Sequence, residues 1–355
     1  MKEGITMVGP AIKIVDSPIP EPNDDQVLIK VMVAGANPKN WKGPEWAASG
    51  NIISPILEGI KEPINQGDDI AGIVENVGSN VVEFKPGDRV AAFHEMYTKG
   101  GSYAEYAVAW SHTTFHLPDH TSFEEAATIP LAALTAAVSL YANHRLPFPW
   151  RPAQASTPLI VYGASTAVGA FTIRLACNSN LHPIIAVAGK GCGYVNSIID
   201  KSKGDIVIDY HHGADKTVSA IKDRLEEAGV PTVQHALDAA ITPVSIEVLK
   251  QVVAPGGVID FALPTEADVS PAVKSMASVG SVHNMPWYDH NAELGFIFCR
   301  YFTRALQDKT FSGHPYEVRL GGLAGIEDAL RDLKAGKASA CKYVFRISET
   351  PGITA

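Results

Sequence analysis

The 355-residue sequence is poor in cysteine, with four, at 177, 192, 299 and 341. None stands in a Cys-x-x-Cys pair, and no histidine flanks one at metal-ligand spacing. That excludes a disulfide scaffold and leaves four scattered, buried thiols as the expectation. Positive charge is also short: 29 Lys and Arg face 38 Asp and Glu, a net charge of −9. An acidic chain is not drawn to phosphate backbones or anionic bilayers, so nucleic acid and membrane are not expected as partners. A local basic spot could still hold one phosphate. No run approaches the ~20 apolar residues that span a bilayer. The opening MKEGITMVGPAIKIV has no basic segment followed by an apolar run, so no secretory leader is expected and a cytoplasmic setting is. Internal repeats and low-complexity stretches are missing too. What is present is ordinary for a globular chain: 46% apolar and 19% charged residues. That length suggests about two domains.

Punctuation divides the chain. Up to about residue 110, short apolar runs alternate with turns: Gln26–Val33, Ile70–Val77, Arg89–Phe93 and Ser102–Val108 read as strands. This spacing points to a small barrel. Ser122 then caps a helix with Glu124 and Glu125 in its first turn, and Leu131–Tyr141 is Ala-rich and helical. Four prolines between 144 and 158 break the pattern. From Leu159, strands (LIVYG, PIIAVAG, DIVIDY, GGVIDFALP) alternate with helices (AVGAFTIRLACNS, Thr217–Ala228, SIEVLKQVV). Such alternation predicts a doubly wound parallel sheet covered by helices. Two further helices and the strand CKYVFRI close the chain. The fold class expected is α/β.

The strongest motif joins LIVYG to its helix: Gly163-Ala164-Ser165-Thr166-Ala167-Val168-Gly169. A dinucleotide-binding turn needs small residues so that backbone amides and the helix N-terminus approach the pyrophosphate. Gly163 takes the first place and Gly169 the last, with polar Ser165 and Thr166 between. The next strand ends in Gly189-Lys190-Gly191-Cys192-Gly193. An NAD site wants an acid here for the ribose hydroxyls. There is none, and Lys190 in a glycine-rich turn suits a 2′-phosphate, which favours NADPH.

At this point the chain resembles the medium-chain dehydrogenase/reductase superfamily over nearly its whole length. The supporting segments are Asn37-Pro38, Gly67-Asp68-Asp69-Ile70-Ala71-Gly72, Lys85-Pro86-Gly87-Asp88-Arg89-Val90, Gly101-Ser102-Tyr103-Ala104-Glu105-Tyr106 and the nucleotide turn. The resemblance implies a GroES-like β-barrel catalytic domain from residues 1–125 and 291–355 around a Rossmann NADPH-binding domain of residues 126–290. Zinc members carry a ligand Cys where this chain reads Ala36-Asn37-Pro38-Lys39, and Gly-His-Glu where it reads Gly67-Asp68-Asp69. Their four-cysteine lobe near residue 100 has no counterpart, since the first cysteine is Cys177. No metal is therefore expected in the active site. The chain is similar to the zinc-independent branch: quinone reductases and, closer, fungal trans-acting enoyl reductases. The closest cue is Asn37-Pro38-Lys39-Asn40-Trp41-Lys42, with Asn40 where those reductases carry Asp.

The resemblance implies cofactor contacts at Asn37, Lys39, Lys42, Gly163, Ser165, Thr166, Ala167, Val168, Lys190, Gly193, Tyr210, Leu263 and Phe345, with Tyr210 packing on the adenine. Thr135 matches a pocket threonine near the nicotinamide. The expected chemistry is hydride transfer from NADPH to an activated C=C of an enone, enal or polyketide enoyl thioester. Charge then develops on the carbonyl oxygen, and Lys42, Thr135 and backbone amides are candidate donors. Lys42 could equally orient the cofactor ribose. The proton for the α-carbon would come from water. Quinone or carbonyl reduction on the same scaffold, and a non-catalytic NADPH-binding partner protein, stay open. So does the choice between homodimer and monomer. His94, Tyr97 and Tyr103 divide evenly between pocket wall and surface. Met285, Trp287 and Tyr288 suit core packing better than a substrate channel, and His211-His212 suits a solvated loop. Asp68 and Asp69 form no paired-carboxylate site, because strand neighbours face opposite ways.

Overall fold

A computed structural model describes residues 1–49, 62–230, 232–283 and 290–353. Met285, Trp287 and Tyr288 lie outside the described residues. The chain divides into two compact units, Met1–Leu131 with Gly280–Ala355, and Ala132–Val279.

In the continuous unit, six described strands form one parallel sheet. Its spatial order is Ile206–Asp209, Ile184–Ala188, Leu159–Tyr162, Val233–Asp238, Val253–Phe261, Val273–Met276. Leu159–Tyr162 and Ile184–Ala188 are buried at every position, as strands covered on both faces must be. Ile160, Ile185 and Val187 pack with Ile221 and Leu225 of helix Ala214–Glu227 and with Val248 and Leu249 of helix Pro243–Val252. The order reverses at Leu159–Tyr162, since successive strands run out to one side of it and Val233–Asp238 lies on the other. In open parallel sheets such a reversal point is where ligands are generally bound, beyond the C-terminal ends of the strands.

The split unit carries a seven-stranded sheet among its described residues. Gln26–Gly35 lies at its centre, paired antiparallel with Asp69–Val77, Tyr106–Trp110 and Lys342–Arg346. Segments from the first and last parts of the chain thus share one sheet, and Ile29, Ile70, Val90, Leu330 and Phe345 share one core. The strand expected at Ser102–Val108 begins instead at Tyr106. Residues 101–103 are stitched to another loop: Ser102 N donates to Gly67 O at 3.0 Å and Tyr103 N to Asn65 Oδ1 at 3.2 Å. Tyr103 sinks wholly into the core, which the alternation in SYAEYAV does not reveal.

The helix read at Leu131–Tyr141 runs as Pro130–Ala137 and continues as a π-helix over Val138–Asn143. Helix Pro38–Ser49 carries the Asn-Pro-Lys-Asn-Trp-Lys segment.

Candidate active site

The nucleotide turn sits at the reversal point of the parallel sheet. Gly163 follows the last residue of Leu159–Tyr162 with φ +77°, a conformation that L side chains rarely adopt. A side chain there would also meet Ala240 N at 2.9 Å. Gly169 is needed for a different reason: a Cβ on it would lie 2.4 Å from Gly163 O. Only glycine lets helix Ala167–Asn178 start this close to the turn. Thr166 is its N-cap, with Oγ1 accepting from Gly169 N at 3.0 Å. Its hydroxyl thus holds the helix end, while the remaining amides of the first turn carry the positive end of the helix dipole. Ala167 and Val168 are half-buried in that turn, and Ser165 is half-buried before it.

Parallel strands put their C-terminal ends on one sheet edge, so residues far apart in sequence gather there. Lys190 follows Ile184–Ala188 and is exposed. Gly193 is exposed in the short helix Cys192–Asn196. Tyr210 follows Ile206–Asp209, stacks on Tyr162 with centroids 6.1 Å apart, and is 38% exposed. Its ring passes so close to Gly189 that a Cβ there would meet Tyr210 Oη at 2.7 Å. Leu263 follows Val253–Phe261, half-buried. His211, expected as a solvated loop residue, is exposed but held: Nδ1 is 2.7 Å from Asp209 Oδ1 and the ring lies 4.5 Å from Tyr210. Asp238 was missed by the sequence reading. Its carboxylate accepts from Ala240 N at 2.9 Å, Ile241 N at 2.8 Å and Ser245 Oγ at 2.6 Å, shaping the loop opposite Gly163. An Asp closing the strand VQHALD was the available signal. Thr135, in the same unit, is buried on helix Pro130–Ala137.

In the split unit the candidate residues differ sharply. Lys42 is half-buried on helix Pro38–Ser49, 5.4 Å above the Trp41 ring, and burial holds its ammonium below the usual range. Among the described residues it has no carboxylate partner. Asn37 and Lys39, in contrast, are internal. Asn37 Nδ2 donates to Asp69 Oδ2 at 2.7 Å, and its Oδ1 accepts from Lys342 Nζ at 3.0 Å. Lys39 is 6% exposed and bound to Asp68 Oδ1 at 2.6 Å, 4.4 Å above the Tyr97 ring. Burial pushes the Lys39 ammonium down and the Asp68 carboxyl up, and each partner's charge opposes the shift of the other. Phe345 is fully buried, edge-on to Tyr103 at 5.8 Å, so this structure leaves its side chain no surface for a ligand.

The two neighbouring carboxylates take separate partners, although only Asp69 belongs to the strand Asp69–Val77 and Asp68 lies just before it. Asp68 accepts from Lys39 and from Asn40 Nδ2 at 2.8 Å. Asp69 takes Lys342, Asn37 and Leu131 N, the last at 2.7 Å. The Lys39–Asp68 and Lys342–Asp69 pairs carried no sequence signal, because each joins residues that only the barrel brings together. His94 is buried with Nδ1 2.7 Å from Val108 O and Nε2 3.2 Å from Thr98 Oγ1, so both ring nitrogens are engaged inside the fold. Tyr103 donates its hydroxyl to Asn40 Oδ1 at 2.9 Å. Neither is at the surface.

No described helix is long and apolar enough to cross a membrane. An alcohol dehydrogenase GroES-like domain matches residues 23–119. Over 331 residues the chain is 42% identical to trans-enoyl reductase fsr4 of Gibberella fujikuroi, covering 92% of each. In fold it is similar to an alcohol dehydrogenase superfamily protein from Novosphingobium aromaticivorans, with TM-score 0.77, 19% identity and coverage of 98% and 99%. It is also similar to a mycobacterial protein complexed with NADPH, with TM-score 0.72, 20% identity and coverage of 97% and 99%. With a β-sheet unit built from both chain ends, a parallel-sheet unit with a glycine turn at its reversal point, and a relative this similar over this length, the chain is an oxidoreductase that belongs to the medium-chain dehydrogenase/reductase superfamily, among its trans-enoyl reductases.

Proposed function

We propose that this protein reduces an activated carbon–carbon double bond (an enone, an enal or an enoyl thioester, free or carrier-bound) with NADPH and without a metal. The observation that carries the reading is the glycine turn at the reversal point of the parallel sheet. The strand next to it ends in exposed Lys190 and offers no acid. The C=C chemistry is supported by the likeness to a trans-enoyl reductase.

Ala132–Val279 is then the cofactor-binding unit. The close approach that Gly163 and Gly169 permit would bring the remaining amides of the first helical turn to a pyrophosphate. Lys190 would neutralise the 2′-phosphate, while Ser165, Ala167, Val168, Gly193, Tyr210 and Leu263 would line the rest. When bound, NADPH supplies the hydride that the substrate β-carbon accepts. Lys42, an ammonium without a carboxylate partner among the described residues, is the cation free to orient the ribose or to meet negative charge on the substrate oxygen. Thr135 is the second candidate donor.

A catalytic zinc does not fit this donor set. Asp68 already holds Lys39 and Asn40, and Asp69 holds Lys342, Asn37 and a backbone amide. Asn37 stands where a thiolate would be required. In place of a dication, the buried carboxylates carry two ammonium groups.

Purified protein should consume NADPH with an enone or enoyl thioester in a panel that also holds quinones and aldehydes, and a chelator should leave the rate unchanged. Turnover confined to quinones or aldehydes would overturn the C=C assignment. Tight NADPH binding with no turnover across the panel would instead indicate a non-catalytic partner protein.

A further inference from the structure

The continuous unit has a second group of chemistry-bearing side chains, at the sheet edge opposite the nucleotide turn. Cys177 is the penultimate residue of helix Ala167–Asn178, about 15 Å along that helix from its first residue. His182 and Asp205 precede the strands Ile184–Ala188 and Ile206–Asp209. One ligand atom from each of the three lies within 4.8 Å of the others. We infer that Cys177, His182 and Asp205 form a binding site for a divalent cation of the zinc class.

The donor set is that of a borderline metal: one sulfur, one imidazole nitrogen and one carboxylate oxygen. Tetrahedral zinc holds such atoms roughly 3.4–3.6 Å apart, given bonds of about 2.0–2.3 Å. The sulfur, within 4.8 Å of the other two atoms, therefore needs to approach them, while the nitrogen–oxygen pair at 2.8 Å needs to open, both within reach of side-chain rotation. Asp205 is already oriented: Oδ1 accepts from Ile184 N at 2.7 Å and Oδ2 from Asp200 N at 3.0 Å. Its Oδ1 also lies 2.8 Å from His182 Nδ1, a contact that holds the imidazole beside the carboxylate and opens when both atoms bind an ion. Three protein ligands leave a fourth position for water. His182 also lines a surface pocket, together with Asn180, Lys203 and Arg224.

On binding, the S–H bond breaks, its proton leaves to solvent, and sulfur exchanges its weak contact with Ile198 O, at 3.8 Å, for the metal. Of the two cations at the pocket, Arg224 is held by Gly204 O and Glu227, and Lys203 reaches Asn180 Oδ1 at 3.5 Å.

The site is tested with the metal-stripped full chain and Co²⁺ as the probe. Co²⁺ should bind at one equivalent with a sulfur-to-cobalt charge-transfer band, and Zn²⁺ should abolish the band. Cys177→Ser should remove the band while Cys192→Ser keeps it, and His182→Gln should weaken binding by about tenfold or more. In the unaltered chain, Zn²⁺ should protect Cys177 from maleimide, read by peptide mass spectrometry, which needs no variant to fold. No thiolate band and no protection at Cys177, or a band that survives Cys177→Ser, would overturn the inference.

Discussion

The lysines of this chain stand in contrasting surroundings, and their removal should act accordingly. Lys190 is exposed at a sheet edge, so its removal should act on the ligand rather than on the fold. A charge-assisted contact contributes about 1.5–3 kcal/mol, so Lys190→Ala should raise the KM for NADPH by about tenfold to a hundredfold. The KM for NADH should barely move, and equal losses would remove the 2′-phosphate role. Lys39 stands in the opposite situation. Breaking a buried pair by deleting one partner costs about 3–5 kcal/mol, because the other charge is stranded. Lys39→Met should therefore lower the unfolding midpoint strongly in denaturant titration. Lys39→Met combined with Asp68→Leu should recover much of that loss.

At the level of elements, helix Ala167–Asn178 is tied to the turn before it by Gly169. Gly169→Ala places a methyl 2.4 Å from Gly163 O, and such overpacking costs about 1–3 kcal/mol. The helix must move away, so NADPH affinity should fall further than stability does, and calorimetry on the folded variant separates the two. A second element-level prediction concerns the junction of the π-helix with strand Val233–Asp238. His144 and His235 meet there with Nδ1 atoms 3.3 Å apart, and burial lowers both to about 4. A histidine depressed in the fold binds its proton more readily when unfolded, where it titrates near 6.5. Stability is then complete above pH 6.5 and falls as pH drops through the window from 6.5 to 4. Thermal melts across that range should show the decline, and His144→Phe should make it shallower.

For the whole molecule, a ligand that binds only the folded chain adds stability by mass action. NADPH at a hundredfold excess over its Kd should contribute about 2.7 kcal/mol, at about 2–4 °C per kcal/mol for units of this size. A melting-temperature rise of about 5–10 °C is expected with NADPH and a smaller one with NADH at equal concentration. Among the described residues the parallel sheet reverses its order once and the glycine turn sits at that point, where such a ligand is expected.

The residues themselves determined the α/β class, the strand-turn-helix around Gly163 and the absence of an acid beside Lys190. Each of these is local: a run of apolar residues, a cap, a glycine, a charge at a strand end. Hydrophobic periodicity and turn chemistry act over a few residues, so they can be read from a few residues. Other features needed the fold. Asn37, Lys39 and Phe345 lie in a segment or strand associated with the site, yet their side chains point inward, because the centre of the barrel must satisfy Asp68 and Asp69 and fill its core. His94 and Tyr103 went the same way. Cys177, His182 and Asp205 lack any motif spacing, and the parallel sheet brings them together by placing consecutive strand starts on one edge. Sequence spacing records contacts along the chain, whereas these contacts run across it and exist only once the strands are paired.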